Sequence, residues 1–447
     1  MKIPDKYKGK YFFHFTHIEN LESIVRNGLL STNMKNELRL KHTDVASETI
    51  QHRRSEMDVT CSPYGKVHDY VPFYFTSTNP MLLSLTNHKN IDQPFIIFIA
   101  ISIEKLIENN VVFTNASANT IDPPNFYNNP NDLDKLDWDA INLRKWGSKD
   151  DDERHNRMAE VLVHEEVPLD WIESIIIWNE NFKNEVIKIF KDNKLTLPKV
   201  SFSPFNGKHF FFTKFALGKP NNTLVTGPYF LKHDFDSTRK KIIKQREKTE
   251  KTEFLFTNIE NAISIIDNDF CAIQELRDIY ELETVNEVHN ENVSDHTKKV
   301  VSNLEKNSYY KNLSDMDKNI VKLSAYLHDI GKGPKSKWKN RKQTAYPDHP
   351  ADAVPMLKRI LIEDFEELSK YEIRKICLLV TYHDIIGDIL QHSRSKQELI
   401  NLIRNEKELN MLIAISLADV SAINSGWNFM IEQKLPKFVK DIKKEIE

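Results

Sequence analysis

A chain of 447 residues is too long for one hydrophobic core and predicts two or three domains. Apolar residues make up 40% and charged residues 28%, an ordinary globular composition. The net charge of −3 excludes a general attraction to nucleic acid or membrane, so any basic surface must be local.

The polar start Met-Lys-Ile-Pro-Asp lacks the apolar stretch of a signal peptide. A short β-rich aromatic run predicts a first strand at 11–15. Helical spacing follows at Ile18, Leu21, Ile24 and Val25 and stops at Gly28. Further strands are expected at 70–75, 95–103, 161–167 and 174–178, with helices between them and an Asn-rich loop at 125–132. The run 95–103 is the longest apolar stretch and half the length that spans a bilayer, so it reads as a buried strand. Next come an aromatic strand at 209–215 and a basic run at 239–251, read as a solvated linker helix. Beyond about 285 the pattern is helical, with periodic apolar positions in 317–328, 352–362, 371–383 and 408–420. The fold class is α+β, with boundaries near 205 and 285: a sheet-rich domain over 1–205, a mixed connector over 206–284 and an all-α domain over 285–447. Cys61, Cys271 and Cys377 stand far apart without a CxxC pair, which argues for a reducing, cytoplasmic setting.

The all-α part carries His296, His328-Asp329, His349, His383 and Asp419. Imidazole nitrogen and carboxylate oxygen together suit a first-row divalent metal. Neighbouring helical residues point about 100° apart, so His328 and Asp329 can reach one ion from two sides, and Asp329 can bridge to a second.

The sheet-rich part holds a second constellation. His14-Phe15-Thr16-His17-Ile18-Glu19-Asn20-Leu21 joins the first strand to the first helix, where free N–H groups suit a phosphate-bearing or amide-bearing ligand. Gln51-His52-Arg53-Arg54 and His68-Asp69-Tyr70-Val71-Pro72-Phe73-Tyr74-Phe75 follow, and Ala159-Glu160-Val161-Leu162-Val163 puts a carboxylate at the start of an apolar strand. Over roughly 10–205 these motifs resemble the DarT family of DNA ADP-ribosyltransferases. The resemblance implies a split β-sheet holding NAD+ in a cleft. It makes Glu160 the catalytic glutamate and Arg53 or Arg54 the catalytic arginine. His14, Thr16, His17 and Asn20 would lie on the NAD+ side, with Tyr74 near the nicotinamide. The family segment usually reading Pro-Arg-Ser-Pro-Met-Leu is Ser77-Thr78-Asn79-Pro80-Met81-Leu82 here; its Arg is absent, which bears on acceptor choice. The chemistry suits these types. Cleaving the nicotinamide–ribose bond develops positive charge on the ribose, which a carboxylate stabilises, and a guanidinium offers a fork for pyrophosphate or a carbonyl. As a strand-end carboxylate, Glu160 is expected to contribute little packing.

Over about 285–425 the chain resembles the HD phosphohydrolase superfamily, through the string 289–297, the Leu327-His328-Asp329-Ile330-Gly331-Lys332 turn and Asp348-His349-Pro350. The resemblance implies two divalent first-row ions (Mn, Fe, Co, Ni or Zn) bridged by Asp329, with Lys332 near a substrate phosphate. Lys335, Lys337, Lys339, Arg341 and Lys342 follow with Trp338 among them, giving charge for a backbone and a stacking platform for a base of single-stranded nucleic acid.

The expected protein is bifunctional. An NAD+-dependent transferase modifies a nucleobase of single-stranded DNA, and a fused metal-dependent hydrolase reverses or processes the modification, in a toxin–antitoxin or phage-defence setting, without membrane contact. The alternatives are an HD unit that senses a nucleotide without hydrolysis and gates the transferase, and transfer to RNA or protein.

Overall fold

The computed structural model describes the chain apart from residues 44–47, 144–145, 149, 216–217, 249, 286–290, 393 and 447. Its contacts divide it into two units, Met1–Asn87 with Ile91–Leu224, and His88–Asn90 with Val225–Glu447. The stretch 206–284, expected as a separate connector, is therefore shared out. Phe210, Phe211 and Phe212 are buried in a core of the first unit, and Leu231, Phe235 and Ile242 in that of the second.

The first unit is built on an eight-stranded sheet. Its strands are β1 (Tyr11–His17), β2 (Tyr70–Tyr74), β3 (Ile96–Ser102), β4 (Val111–Thr114), β5 (Phe126–Tyr127), β6 (Glu160–His164), β7 (Ile172–Ile177) and β8 (Lys199–Phe202), in the spatial order β8-β7-β3-β1-β2-β6-β4-β5. Side chains alternate across a strand, so Phe12 and Phe13 fall into two different cores, as do Ile97 and Phe98. The continuous apolar run of β3 follows from this, because both of its faces are covered. Register places the site: β2 and β6 run antiparallel with Tyr74 opposite Glu160. Helix α1 (Leu21–Asn27) ends at Gly28, whose φ of 86° is open to glycine at little cost.

The aromatic strand expected at 209–215 is reduced to Thr213–Lys214. Three consecutive buried phenylalanines cannot share one face of a period-2 strand. The backbone there is satisfied by a side chain instead. The Phe212 N–H donates to Gln93 Oε1 at 2.8 Å, and Gln93 Nε2 donates to the Phe212 carbonyl at 2.9 Å.

The second unit is helical around one core. Helix α2 (Pro228–Arg246) opens it, and α3 (Val293–Leu304), α4 (Asp315–Leu327), α5 (His349–Glu363), α6 (Lys370–Thr381) and α7 (Glu406–Ile423) carry or adjoin the histidine and aspartate positions. Part of the basic run 239–251 lies in α2 and is no solvated linker. Ile242 is fully buried, and Arg246 donates to the carbonyls of Leu361, Phe365 and Glu366 at 2.7–2.8 Å. That guanidinium satisfies carbonyls at the end of α5 which the helix itself leaves unpaired. Among the described residues no helix is long and apolar enough to cross a membrane.

Candidate functional site

Glu160 opens β6 and is wholly buried. Its Oε1 accepts from the Ala118 N–H at 2.8 Å and from Arg54 Nη1 at 2.9 Å, and Oε2 accepts from the same Nη1 at 2.9 Å. Its own N–H donates to Thr114 Oγ1 at 3.0 Å, which fixes the start of the strand. Arg54 projects from the helix Glu48–Glu56 and is buried, whereas Arg53 on the same helix is exposed. Burial opposes the charge on Arg54, but the Glu160 carboxylate outweighs it and holds the guanidinium above its usual range. Between the two arginines left open by the sequence, Arg54 is the one brought to the carboxylate.

Tyr74 lies beside this pair. Burial, with the negative charge of Glu160 behind it, pushes the phenol above its usual range, so it stays a hydroxyl and donates to Met81 Sδ at 3.5 Å. Arg54 and Tyr74 line a cleft of about 400 Å³ together with His14, Thr16 and Asn20. His14 Nδ1–H donates to the Pro72 carbonyl at 2.8 Å, and burial lowers its pKa to about 4, so a neutral imidazole faces the cleft at neutral pH. Asn20 Nδ2 donates to Thr16 Oγ1 and to the Thr43 carbonyl at 2.9 Å, and its Oδ1 accepts the Thr43 N–H at 2.7 Å. His17 does not line the cleft. Its Nδ1 accepts the Glu19 N–H at 3.3 Å, capping the turn Ile18–Asn20, and its ring lies against Phe95.

Several residues that complete the cleft were not singled out by the sequence. Lys35, Thr43, Gln51, His68 and Asn119 line it, with His68 Nε2 2.9 Å from Gln51 Oε1. The Ala118 N–H is a backbone donor and leaves no residue-type signal at all. The segment Ser77–Leu82 leads into the helix Pro80–Asn87, with Ser77, Asn79 and Leu82 buried. Asn79 Oδ1 accepts the Leu82 N–H at 2.9 Å, and the Thr78 carbonyl accepts from Arg157 Nη2 at 2.8 Å.

In the second unit, His296 of α3, His328-Asp329 after α4, His349 at the start of α5, His383 after α6 and Asp419 of α7 converge. His296 Nε2 lies 2.9 Å from Asp419 Oδ1 and 3.7 Å from Asp329 Oδ2, and His328 Nε2 lies 3.3 Å from Asp329 Oδ2. On the other side, Asp329 Oδ1 is 3.2 Å from His349 Nε2, which is 3.0 Å from His383 Nε2. The donor atoms form two groups, His296/His328/Asp329 and Asp329/His349/His383, with Asp329 common to both.

The donor set fits two cations. His328, His349 and His383 each donate Nδ1–H to the carbonyl three residues earlier, Ala325, Tyr346 and Val380, at 2.7–2.9 Å. That fixes the tautomer and turns an unprotonated Nε2 inward. Two such lone pairs, on His349 and His383, then face each other, an arrangement that repels unless a cation lies against both. His328 Nε2 is likewise buried without a hydrogen bond among the described residues. At His349, His383, Asp329 and Asp419 the protonation states are the ligating ones; at His328 burial opposes the charge but the Asp329 carboxylate outweighs it and holds the imidazole above its usual range, so an ion there takes the place of the Nε2 proton. Burial lowers the His349 pKa to about 3, helped by Lys332 nearby, and burial also lowers that of His383. Burial works against ionisation of Asp329 and Asp419, but His328 with Lys332 at the first and His296 at the second outweigh it and keep both carboxyls low. Lys332 Nζ sits 2.7 Å from Asp329 Oδ2.

Gly331 explains the small residue after the His-Asp pair. A Cβ there would overlap the His349 carbonyl oxygen and lie 2.8 Å from the Ala353 nitrogen. Both are backbone atoms that no rotamer change can move aside. Gly331→Ala should therefore push the start of α5, and His349 with it, away from Asp329. Metal content of the purified variant is the measurement; content equal to wild type would refute this account of Gly331.

The basic loop differs from a stacking platform. Trp338 is half-buried, its Nε1–H donates to the Lys332 carbonyl at 2.7 Å and its ring meets Tyr346 edge-on. Lys337 is turned inward, with Nζ 2.6 Å from Asp352 Oδ2. Lys335 is half-buried, while Lys339, Arg341 and Lys342 are exposed, with Lys342 paired to Glu283 at 2.5 Å. The loop spends its aromatic ring and one of its cations on its own packing. Of the string 289–297, His289 and Asn290 lie outside the described residues.

Residues 13–212 match the family described as ssDNA thymidine ADP-ribosyltransferase, DarT, and residues 289–422 match the HD domain. A DNA ADP-ribosyl transferase of Thermus sp. strain 2.9 is 32% identical over 185 residues, which are 40% of this chain and 86% of that protein. One from Escherichia coli O127:H6 is 26% identical over 195 residues, covering 41% and 88%. The solved structure of the Thermus sp. 2.9 DarT in complex with ADP-ribosylated ssDNA is 30% identical, covering 45% of this chain and 97% of that one, with a TM-score of 0.41.

Proposed function

Because the chain belongs to the DarT family of DNA ADP-ribosyltransferases and carries an HD domain after it, we propose that it transfers ADP-ribose from NAD+ to a base of single-stranded DNA and that its HD unit hydrolyses a phosphoester or glycosidic link of the product. The observation that carries the first half is the buried Glu160, gripped by Arg54 and the Ala118 N–H beside the cleft. In this reading His14, Thr16 and Asn20 orient the NAD+ end, and Tyr74 packs near the nicotinamide. Glu160 stabilises positive charge on the ribose as the nicotinamide leaves with the bond electrons, and the base nitrogen or oxygen then takes the sugar carbon as the base gives up one proton to solvent. A carboxylate preorganised by a guanidinium and a backbone N–H needs no rearrangement as that charge develops.

In the HD unit, His296, His328, Asp329 and Asp419 would hold one divalent ion, and Asp329, His349 and His383 the second. Such a pair lowers the pKa of a bound water and clamps a phosphoryl group. Lys332 is the residue placed to neutralise a substrate phosphate. Its position beside Asp329 supports this role. Covalent linkage keeps the hydrolase at high effective concentration around the transferase product, which suits a self-limiting modification system of the toxin–antitoxin or phage-defence kind, acting in the cytoplasm.

The test is incubation of the protein with labelled NAD+ and separate pools of single-stranded DNA, duplex DNA, RNA and protein, with Mn2+ or with chelator. Label is expected in the single-stranded DNA pool, and a chase with unlabelled NAD+ should release it only with metal. Label confined to RNA or protein overturns the acceptor. Label that changes its rate of appearance with metal but never falls makes the HD unit a sensor that gates the transferase.

A further inference from the structure

The loop that follows the His-Asp turn is tied to both halves of the Asp329/His349/His383 group. Lys337 Nζ donates to the Gly331 carbonyl at 3.0 Å and pairs with Asp352 Oδ2 at 2.6 Å, and it stands 4.0 Å from the centre of the Tyr346 ring. The Tyr346 hydroxyl donates to the same Asp352 oxygen at 2.6 Å. On the ring's other contact, Trp338 meets it edge-on at 5.4 Å while its Nε1–H holds the Lys332 carbonyl. The Tyr346 carbonyl in turn accepts the Nδ1–H of His349 at 2.7 Å.

From these bonds we propose that Lys337, with Tyr346 and Asp352, is a clasp that positions His349 and thereby sets the affinity of the second metal position alone. The route is short. The cation fixes the Tyr346 ring between itself and Trp338, the ring fixes its own backbone carbonyl, and that carbonyl aims His349 Nε2 at Asp329 Oδ1. The same ammonium holds the carbonyl of Gly331, two residues beyond Asp329, so both partners of the contact are drawn to one atom. A partly buried lysine engaged with a carboxylate, a carbonyl and an aromatic face holds this geometry more tightly than any one of those contacts. His296, His328 and Asp419 are oriented by other bonds: His328 by the Ala325 carbonyl, and His296 with Asp419 by each other.

The inference rests on the two-ion reading of the HD unit. It is tested by titrating Co2+ into the metal-free full-length chain and into Lys337→Met, Lys337→Arg and Tyr346→Phe, with chelator competition to resolve the two affinities and thermal unfolding as the folding control. Wild type should bind two Co2+. Lys337→Met should leave the tighter step unchanged and weaken the other by about 10–100-fold, the usual effect of removing a group that orients a ligand. Lys337→Arg keeps a cation over Tyr346 and a partner for Asp352, so it should recover most of that loss. Lys337→Met that binds both ions as wild type does, or loses both equally, overturns the clasp while leaving the two-ion reading in place. If Lys337→Met does not fold, Tyr346→Phe decides. It should weaken the second step by a few-fold, roughly the share of one hydrogen bond, and two unchanged affinities in that variant overturn the clasp. A wild-type chain that binds a single Co2+ overturns the two-ion reading, and the clasp with it.

Discussion

Glu160→Gln should lower transfer of label from NAD+ by roughly a thousandfold, the scale seen when one preorganised electrostatic group is lost from an active site. Glutamine keeps the shape of the side chain and one acceptor for the Ala118 N–H, so folding should be little changed. What it removes is the negative charge facing Arg54, which lines the cleft. Glu160→Ala is a poorer probe, and the expectation that a strand-end carboxylate contributes little to packing is corrected by the structure. Glu160 is fully buried and Arg54 nearly so. Truncation would strand a buried guanidinium, at about 3–5 kcal/mol. Thermal unfolding should therefore separate the two variants, with Glu160→Ala melting well below Glu160→Gln. Arg54→Ala should abolish transfer for the mirror-image reason. Arg53→Ala, exposed on the same helix, should stay within about twofold of wild type. Undiminished transfer by Glu160→Gln would remove Glu160 from the chemistry.

Asp329→Ala should empty both metal positions, taking the content from near two ions per chain to near zero. Asp329 Oδ1 faces His349 and its Oδ2 faces His328, so one side chain serves both groups. Without it the remaining donors are almost all neutral imidazoles, and only Asp419 supplies charge to offset that of a divalent ion. Metal analysis of the purified variant reads this directly; retention of one tightly held ion would mean that the carboxylate is not shared. In cells the same variant should accumulate more ADP-ribosylated DNA than wild type, and adding Glu160→Gln should abolish that excess.

The clustering of the six histidine and aspartate positions was legible because metal ligation demands particular atoms. No other use needs His296, His328-Asp329, His349, His383 and Asp419 at those spacings, and α3 to α7 bring all six together. Helix positions were legible where one face is buried, as in α4, and strands where an apolar run is covered on both faces, as in β3. Other features had no trace in the sequence. Arg53 and Arg54 are adjacent and chemically identical, and only the docking of their helix against β6 selects between them. The loop at 335–342 reads as exposed by composition, yet Lys337 and Trp338 turn inward because backbone carbonyls of the His-Asp turn are there to receive them. The run at 209–215 defeats a strand reading because its backbone partners are scattered: Ser77 for His209, Ser203 for Phe210, and for Phe212 the side chain of Gln93, more than a hundred residues away.

The pairing of Tyr74 with Glu160 across β2 and β6 has a consequence for how such genes can change. Strand register, not the length of chain leading up to it, decides which face Glu160 presents. A single-codon insertion between Tyr127 and Arg157 can be absorbed as extra loop, since nothing in the ladder counts those residues. The same insertion directly after Val161 would turn the rest of β6 over and put Val163 on the face where Leu162 now lies. Length variation among descendants of this chain should therefore gather upstream of the strand and be nearly absent within it.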